Sequence, residues 1–123
     1  MPVAIDCKHN NNSQQYCEIK STELEFHLWR LEPEISKWWE RSENEKIRKK
    51  KLSDLKSKND RNFMLNNLLR LDQLLRYWAQ CFVNGSKYVI VGFYDIKNDR
   101  HEKFLINTIL EIEIEHLEDC LSV

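Results

Sequence analysis

Glycine is nearly absent: Gly85 and Gly92 are the only two in 123 residues. P-loops and dinucleotide-binding turns need several glycines where backbone approaches phosphate, so neither kind of nucleotide site fits. Proline is limited to Pro2 and Pro33, which leaves no proline-rich linker. The four cysteines (Cys7, Cys17, Cys81, Cys120) include no CxxC pair, and the four histidines (His9, His27, His101, His116) include no HxxxH pair. Those absences argue against structural zinc and, without a secretory pattern, favour reduced thiols. Long apolar runs are missing too: no stretch reaches the roughly 20 residues of a membrane-spanning helix. The N-terminus has neither the basic start nor the apolar stretch of a leader peptide, so the expected location is intracellular, nuclear or cytoplasmic.

What is present suits one modest folded domain, or part of one. Apolar residues are 41% of the chain and charged residues 32%, with a formal net charge of -1. The near-neutral total conceals two blocks. Lys37 to Arg61 holds ten Lys or Arg against five Asp or Glu, whereas Glu102 to Asp119 holds six acidic residues against Lys103. Local rather than net charge is therefore the informative quantity.

Period-2 alternation predicts short strands at PVAIDC (residues 2–7) and QYCEIK (15–20), joined by the polar run KHNNNSQQ as a long-looped hairpin. From Glu23 to Lys58, Pro33 suits a first helical turn, and Ile35, Trp38 and Trp39 form an apolar face. The run IRKKKLSDLKSK that follows is charged almost all round, which predicts a helix that leaves the body of the protein. Residues 61–85 read as one long helix with a main stripe of Leu68, Leu71, Leu75, Trp78 and Phe82, a flanking stripe of Leu74, Tyr77 and Cys81, and a polar remainder of Gln73, Arg76 and Gln80. Asn84 and Gly85 end it. KYVIVGF (87–93) has the continuous apolar character of a strand covered on both faces, and FLINTILEIEIEHL (104–117) alternates as a long strand with an acidic outer side. The expected architecture is α/β: a mixed sheet flanked by helices.

Within QYCEIK, Glu18 and Lys20 are two apart and share a face, which sends Cys17 and Ile19 toward the core. Asp6 falls near the end of the neighbouring candidate strand. Two carboxylates converging on one point offer hard oxygen ligands to a divalent cation, and an adjacent lysine offers positive charge to a phosphate oxygen or a nucleophile. A cross-strand ion pair explains the same residues, so the spacing alone is a weak pointer.

Motif order adds a family resemblance. AIDC (4–7) resembles the Glu-hydrophobic-Asp motif of the decapping exoribonuclease (DXO) family, whose catalytic fold is related to the PD-(D/E)XK nucleases, and YCEIKST (16–22) resembles its Glu-hydrophobic-Lys-Thr/Ser motif. LLRYWAQCFVNGSKYVIVGFYD, Leu74 to Asp95, is similar to the family's helix and strand with a Trp-Ala-Gln-Ser-Phe-like segment and a Gly-Phe-Arg-like end. The resemblance implies a partial decapping nuclease domain over residues 1–123, with a charged helical insertion at about 25–62. It implies Mg2+ or Mn2+ held by Asp6, Glu18 and the backbone carbonyl of Ile19, with Lys20 and Gln80 addressing the scissile phosphate or the attacking water. The implied substrate is an RNA 5′ end, capped or NAD-capped, and a 5′-3′ exoribonuclease is an implied protein partner.

Three departures stand out: Ala4 replaces the first acidic residue of the Glu-hydrophobic-Asp motif, Tyr94 replaces the arginine after Gly-Phe, and the family's N-terminal glutamate and closing C-terminal segment have no counterpart. With ligands missing, weak or no turnover is expected. Two alternatives accompany that reading: a non-catalytic RNA- or protein-binding remnant using Lys49, Lys50 and Lys51, and a PD-(D/E)XK nuclease acting on DNA.

Overall fold

A computed structural model describes residues 17–24, 32–40, 44, 46–94 and 106–122. The elements in order are β1 (Cys17–Glu23), α1 (Pro33–Trp39), β2 (Arg48–Lys51) with a 3-10 turn at Leu52–Asp54, α2 (Lys58–Leu68), α3 (Leu71–Asn84), β3 (Tyr88–Tyr94), β4 (Ile106–Glu113) and α4 (Ile114–Leu121). The strands form one mixed sheet in the order β1-β3-β4-β2. β1 runs parallel to β3 and β2 parallel to β4, while β3 and β4 are antiparallel. The expected α/β sheet with flanking helices is thus observed. The strand expected at residues 2–7, and the hairpin built on it, lie outside the described residues.

β3 is central because its side chains are apolar on both faces: Val89, Ile90, Val91, Gly92 and Phe93 are all buried. Val89, Val91 and Phe93 share one face with Leu110 and Ile112 of β4. In the same core cluster are Leu74, Tyr77 and Cys81 of α3, Met64, Leu65 and Leu68 of α2, Leu117 of α4, and Ile35 and Trp39 of α1. Apolar area removed from water there is the main stabilising term.

Four expectations need correction. The long helix of residues 61–85 is two helices: Leu69 and Arg70 are extended, and the Gln73 side-chain oxygen accepts the Arg70 N–H at 2.9 Å, which starts α3 afresh. The face of α3 is also different. Leu74, Tyr77 and Cys81 are buried, whereas Leu71, Leu75 and Phe82 of the expected main stripe are 65%, 48% and 67% exposed. Third, the basic run does not continue a helix away from the body, since Arg48–Lys51 is a strand on the far edge of the sheet. The Arg48 guanidinium donates to Thr108 Oγ1 at 2.7 Å and lies over the Trp39 ring at 4.6 Å, contacts that hold this cation against the sheet. Fourth, the alternating segment after Ile106 stops at Glu113, and Ile114 onward is helical, so Leu117 reaches the core. α3 ends as anticipated, with Gly85 at φ +69°. Cys81 and Cys120 are free thiols.

His116 is buried on α4, its Nε2 3.4 Å from a Glu113 carboxylate oxygen. Burial pushes its pKa below the ordinary value, Glu113 opposes that shift, and Arg61 adds to it. The folded state therefore prefers neutral imidazole, and the unfolded chain binds the proton more readily. Stability present above the unfolded pKa, about 6.5, falls as the pH drops toward the lower folded value. Urea titrations at pH 7.5 and 5.5 are expected to show this loss, and His116→Gln to flatten it.

The burial phase of α3 is equally testable. Leu74→Ala is expected to cost about 2–5 kcal/mol as a core cavity, and Leu75→Ala about 0.5 kcal/mol or less as a surface change. Equal costs in urea denaturation would reverse the assignment.

Candidate active site

The face of β1 turned toward α3 is set by the pleat. Position 18 pairs with Val89 and Lys20 with Val91, both residues of the buried face of β3, so positions 18, 20 and 22 share that side. Ile19, expected in the core, is instead 43% exposed. The correction is physical: α3 covers the side of the even-numbered residues, which leaves Ile19 on the other.

α3 crosses this face antiparallel to β1. At one end Gln73 Nε2 donates to Thr22 Oγ1 at 2.8 Å, and one step along Lys20 Nζ sits 5.8 Å from the centroid of the Tyr77 ring. Two strand residues advance about 6.6 Å and four helix residues about 6 Å, so the two ladders stay in step. Continuing by one rung brings position 18 level with Gln80 and Cys81. The Oε1 of Gln80 is shut off from solvent and has no hydrogen-bond partner among the described residues. An orphaned buried acceptor is costly unless something donates to it.

Of the five expected site positions, 18 and Lys20 share one side of β1 by register, Lys20 meets the Tyr77 ring, and Gln80 lies three residues beyond Tyr77 on α3. The Ile19 peptide lies between positions 18 and 20. Asp6 lies outside the described residues, and among those residues no group of three His, Cys, Asp or Glu side chains is close enough to hold a metal. The described oxygens on this face include the Gln80 amide oxygen and the peptide carbonyls of β1. All are hard oxygens of the type that Mg2+ and Mn2+ accept, so the residues fit such an ion in kind.

Sequence reasoning passed over Thr22, Gln73 and Tyr77 as site residues. The available clue was the spacing of Gln73, Tyr77 and Gln80, a helical row of +4 and +3 whose middle member carries a polar tip. Burial raises the Tyr77 pKa above its ordinary value, so its phenol stays protonated, while its ring faces the Lys20 ammonium. Beyond Thr22 the row opens into a cavity of about 260 Å3, lined by Thr22, Glu23, Asn66, Asn67, Arg70 and Gln73 among others. The exposed lysines of β2, Lys49 and Lys51, sit on the opposite edge of the sheet.

Gln73 is 6% exposed and bonded at both ends of its amide. Its replacement by Ala leaves the Arg70 N–H and the Thr22 hydroxyl without their partner. The expected cost is about 1–3 kcal/mol in chemical denaturation.

Two comparisons with known proteins are negative: no curated protein and no solved structure matches the chain. A third is positive. The family model described as RAI1 like PD-(D/E)XK nuclease matches residues 4–121.

Proposed function

From the chain's membership of the RAI1-like PD-(D/E)XK nuclease family, to which it belongs over nearly its whole length, we propose that it hydrolyses phosphoanhydride or phosphodiester bonds at capped or NAD-capped RNA 5′ ends. Nucleases of the PD-(D/E)XK kind typically use divalent metals. The observation that supports the reading is the contact of β1 with α3, Thr22 with Gln73 and Lys20 with Tyr77, one turn of α3 from the orphaned Gln80 oxygen.

In this proposal Asp6, Glu18 and the Ile19 carbonyl hold Mg2+ or Mn2+. Such an ion, when bound, neutralises phosphate charge and acidifies water. Lys20 presents its ammonium to a non-bridging phosphate oxygen, where negative charge grows as the bond to the leaving group breaks. Tyr77 holds the lysine stem and ammonium over its ring, which limits the orientations that must be frozen out on binding. Gln80 Oε1 accepts a hydrogen bond from the attacking water, which orients a lone pair of that water toward phosphorus. The family's motif has a second carboxylate where Ala4 stands, so turnover is expected to be slow.

The test is a side-by-side assay of capped, NAD-capped and 5′-monophosphate RNA and of duplex DNA, with Mn2+-dependent thermal stabilisation read in parallel. Glu18→Ala is expected to abolish both stabilisation and cleavage. Lys20→Ala is expected to keep the stabilisation and lower cleavage about 100-fold or more. Unchanged cleavage by Glu18→Ala would falsify the site, and cleavage confined to DNA would replace the substrate. RNA binding that weakens steeply with salt, without cleavage in any metal, would make this a binding remnant.

A further inference from the structure

The chemistry proposed for Lys20 and Gln80 leaves the cavity beyond Thr22 unused, a space of about 260 Å3 where the end of β1 meets the junction of α2 and α3. Three elements bring hydrogen-bond donors to its wall. The Thr22 hydroxyl accepts from Gln73 at 2.8 Å and keeps its own O–H to donate. Asn67 gives one amide hydrogen to the Phe63 carbonyl at 2.7 Å and has a second to give. Arg70 supplies a guanidinium whose Nε is braced by Asp72 Oδ1 at 3.1 Å, the other oxygen of that carboxylate being held by Arg76 at 3.1 Å. Glu23 also lines the space, but the pleat sends its side chain to the Ile19 side of β1, so its carboxylate is not set against an anion on the α3 side. Acceptors are present as well. The Leu69 N–H closes on Leu65, and the carbonyls of the last residues of α2 beyond it have no intrahelical N–H to accept.

We propose that this cavity holds one ribose phosphate of an RNA strand, the unit that follows the 5′ phosphate addressed by Lys20. The proposal rests on the nuclease reading for its class of ligand. Phosphate oxygens only accept, and Arg70, Asn67 and Thr22 offer them a charge-assisted and two neutral donors. The 2′-hydroxyl beside that phosphate can donate, which suits the end carbonyls of α2 and sets RNA apart from DNA. Spacing agrees with this. Thr22 is two residues beyond Lys20 along β1, about 6.6 Å, close to the separation of successive phosphates in an extended strand. The site is also organised before any ligand arrives: the buried Gln73 amide joins the Arg70 N–H to the Thr22 hydroxyl, so two of the three donors keep a fixed separation.

The experiment is calorimetric titration of the full chain, with Ca2+ in place of Mg2+ to keep cleavage from intervening. The probes are uridine 3′,5′-bisphosphate, its 2′-deoxy analogue, uridine 5′-monophosphate and orthophosphate. The bisphosphate carries two phosphates one nucleotide apart, so it spans Lys20 and the cavity together. It is expected to bind about ten-fold more tightly than the monophosphate, and the deoxy analogue to lose several-fold of that gain. Arg70→Gln and Asn67→Leu are each expected to reduce the gain while leaving the monophosphate affinity and the melting temperature unchanged. No gain from the second phosphate, a gain that survives both substitutions, no binding by any probe, or orthophosphate bound as tightly as the bisphosphate overturns the subsite. Equal affinity for the deoxy analogue overturns its assignment to RNA. Lys20→Ala separates this from the nuclease site: if it leaves monophosphate binding unchanged while Arg70→Gln removes the gain, the nuclease site fails and the subsite stands.

Discussion

One buried amide fixes the height of a helix on a strand, and the rest of the site follows from that height. Gln73 accepts the Arg70 N–H through its oxygen and donates through its nitrogen to Thr22, joining the first turn of α3 to the end of β1. A slide of α3 by one residue, about 1.5 Å, would break the second bond and carry Tyr77 off Lys20. The rises of two strand residues and four helix residues nearly match, so the same anchor keeps successive rungs of β1 and α3 in step. The energy of the anchor is modest, on the order of 1 kcal/mol for each hydrogen bond. Its value is positional: it selects one of several axial offsets that apolar packing of Leu74, Tyr77 and Cys81 would tolerate almost equally.

How much of this was legible in the sequence depends on which force chose each feature. β3 was plain because a run of β-branched and aromatic residues has no other use in a small chain than a strand covered twice. That positions 18 and 20 of β1 share a side was plain, since a period of two admits no other arrangement, but which side α3 would cover was not. Reading Ile19 as core assumed that apolar residues choose the covered side. Instead the covered side holds Lys20 and Thr22, whose polar tips are satisfied by an aromatic face and an amide.

The phase of α3 was hidden for a related reason. Its two apolar stripes, Leu71-Leu75-Trp78-Phe82 and Leu74-Tyr77-Cys81, lie next to each other, and periodicity alone ranks the larger one as core. Burial chose the smaller, and Gln73 went in with it, because only that rotation lets the Gln73 amide reach both of its partners. Trp78 compensates in part: its ring stacks on Phe82 at 5.5 Å and its indole N–H reaches Glu118 at 3.3 Å, so half of the outward stripe packs against itself and against α4. The break between α2 and α3 was invisible for the same cause, since Leu69 and Arg70 carry no helix-breaking chemistry and it is the side chain of Gln73 that makes the new start.

The basic segment shows the limit of charge as a guide. Four consecutive basic residues, Arg48 to Lys51, suggest a solvated helix or loop, yet they alternate half-buried and exposed along a strand. Arg48 turns inward because Trp39 and Thr108 offer a stacking face and an acceptor, and its aliphatic stem covers core that a shorter cation would leave open. Lys49 and Lys51 turn outward on the far edge, where lysine discourages pairing with a strand of another chain. That accounts for the lysines without nucleic acid, and it changes the distribution of roles. Three strand spacings of about 4.8 Å separate β2 from β1, so the positive charge that acts at the site face comes from Lys20, one residue, rather than from the basic block. Among the described residues, the site face thus offers one lysine and an orphaned amide oxygen, contacts to individual groups rather than a broad positive field.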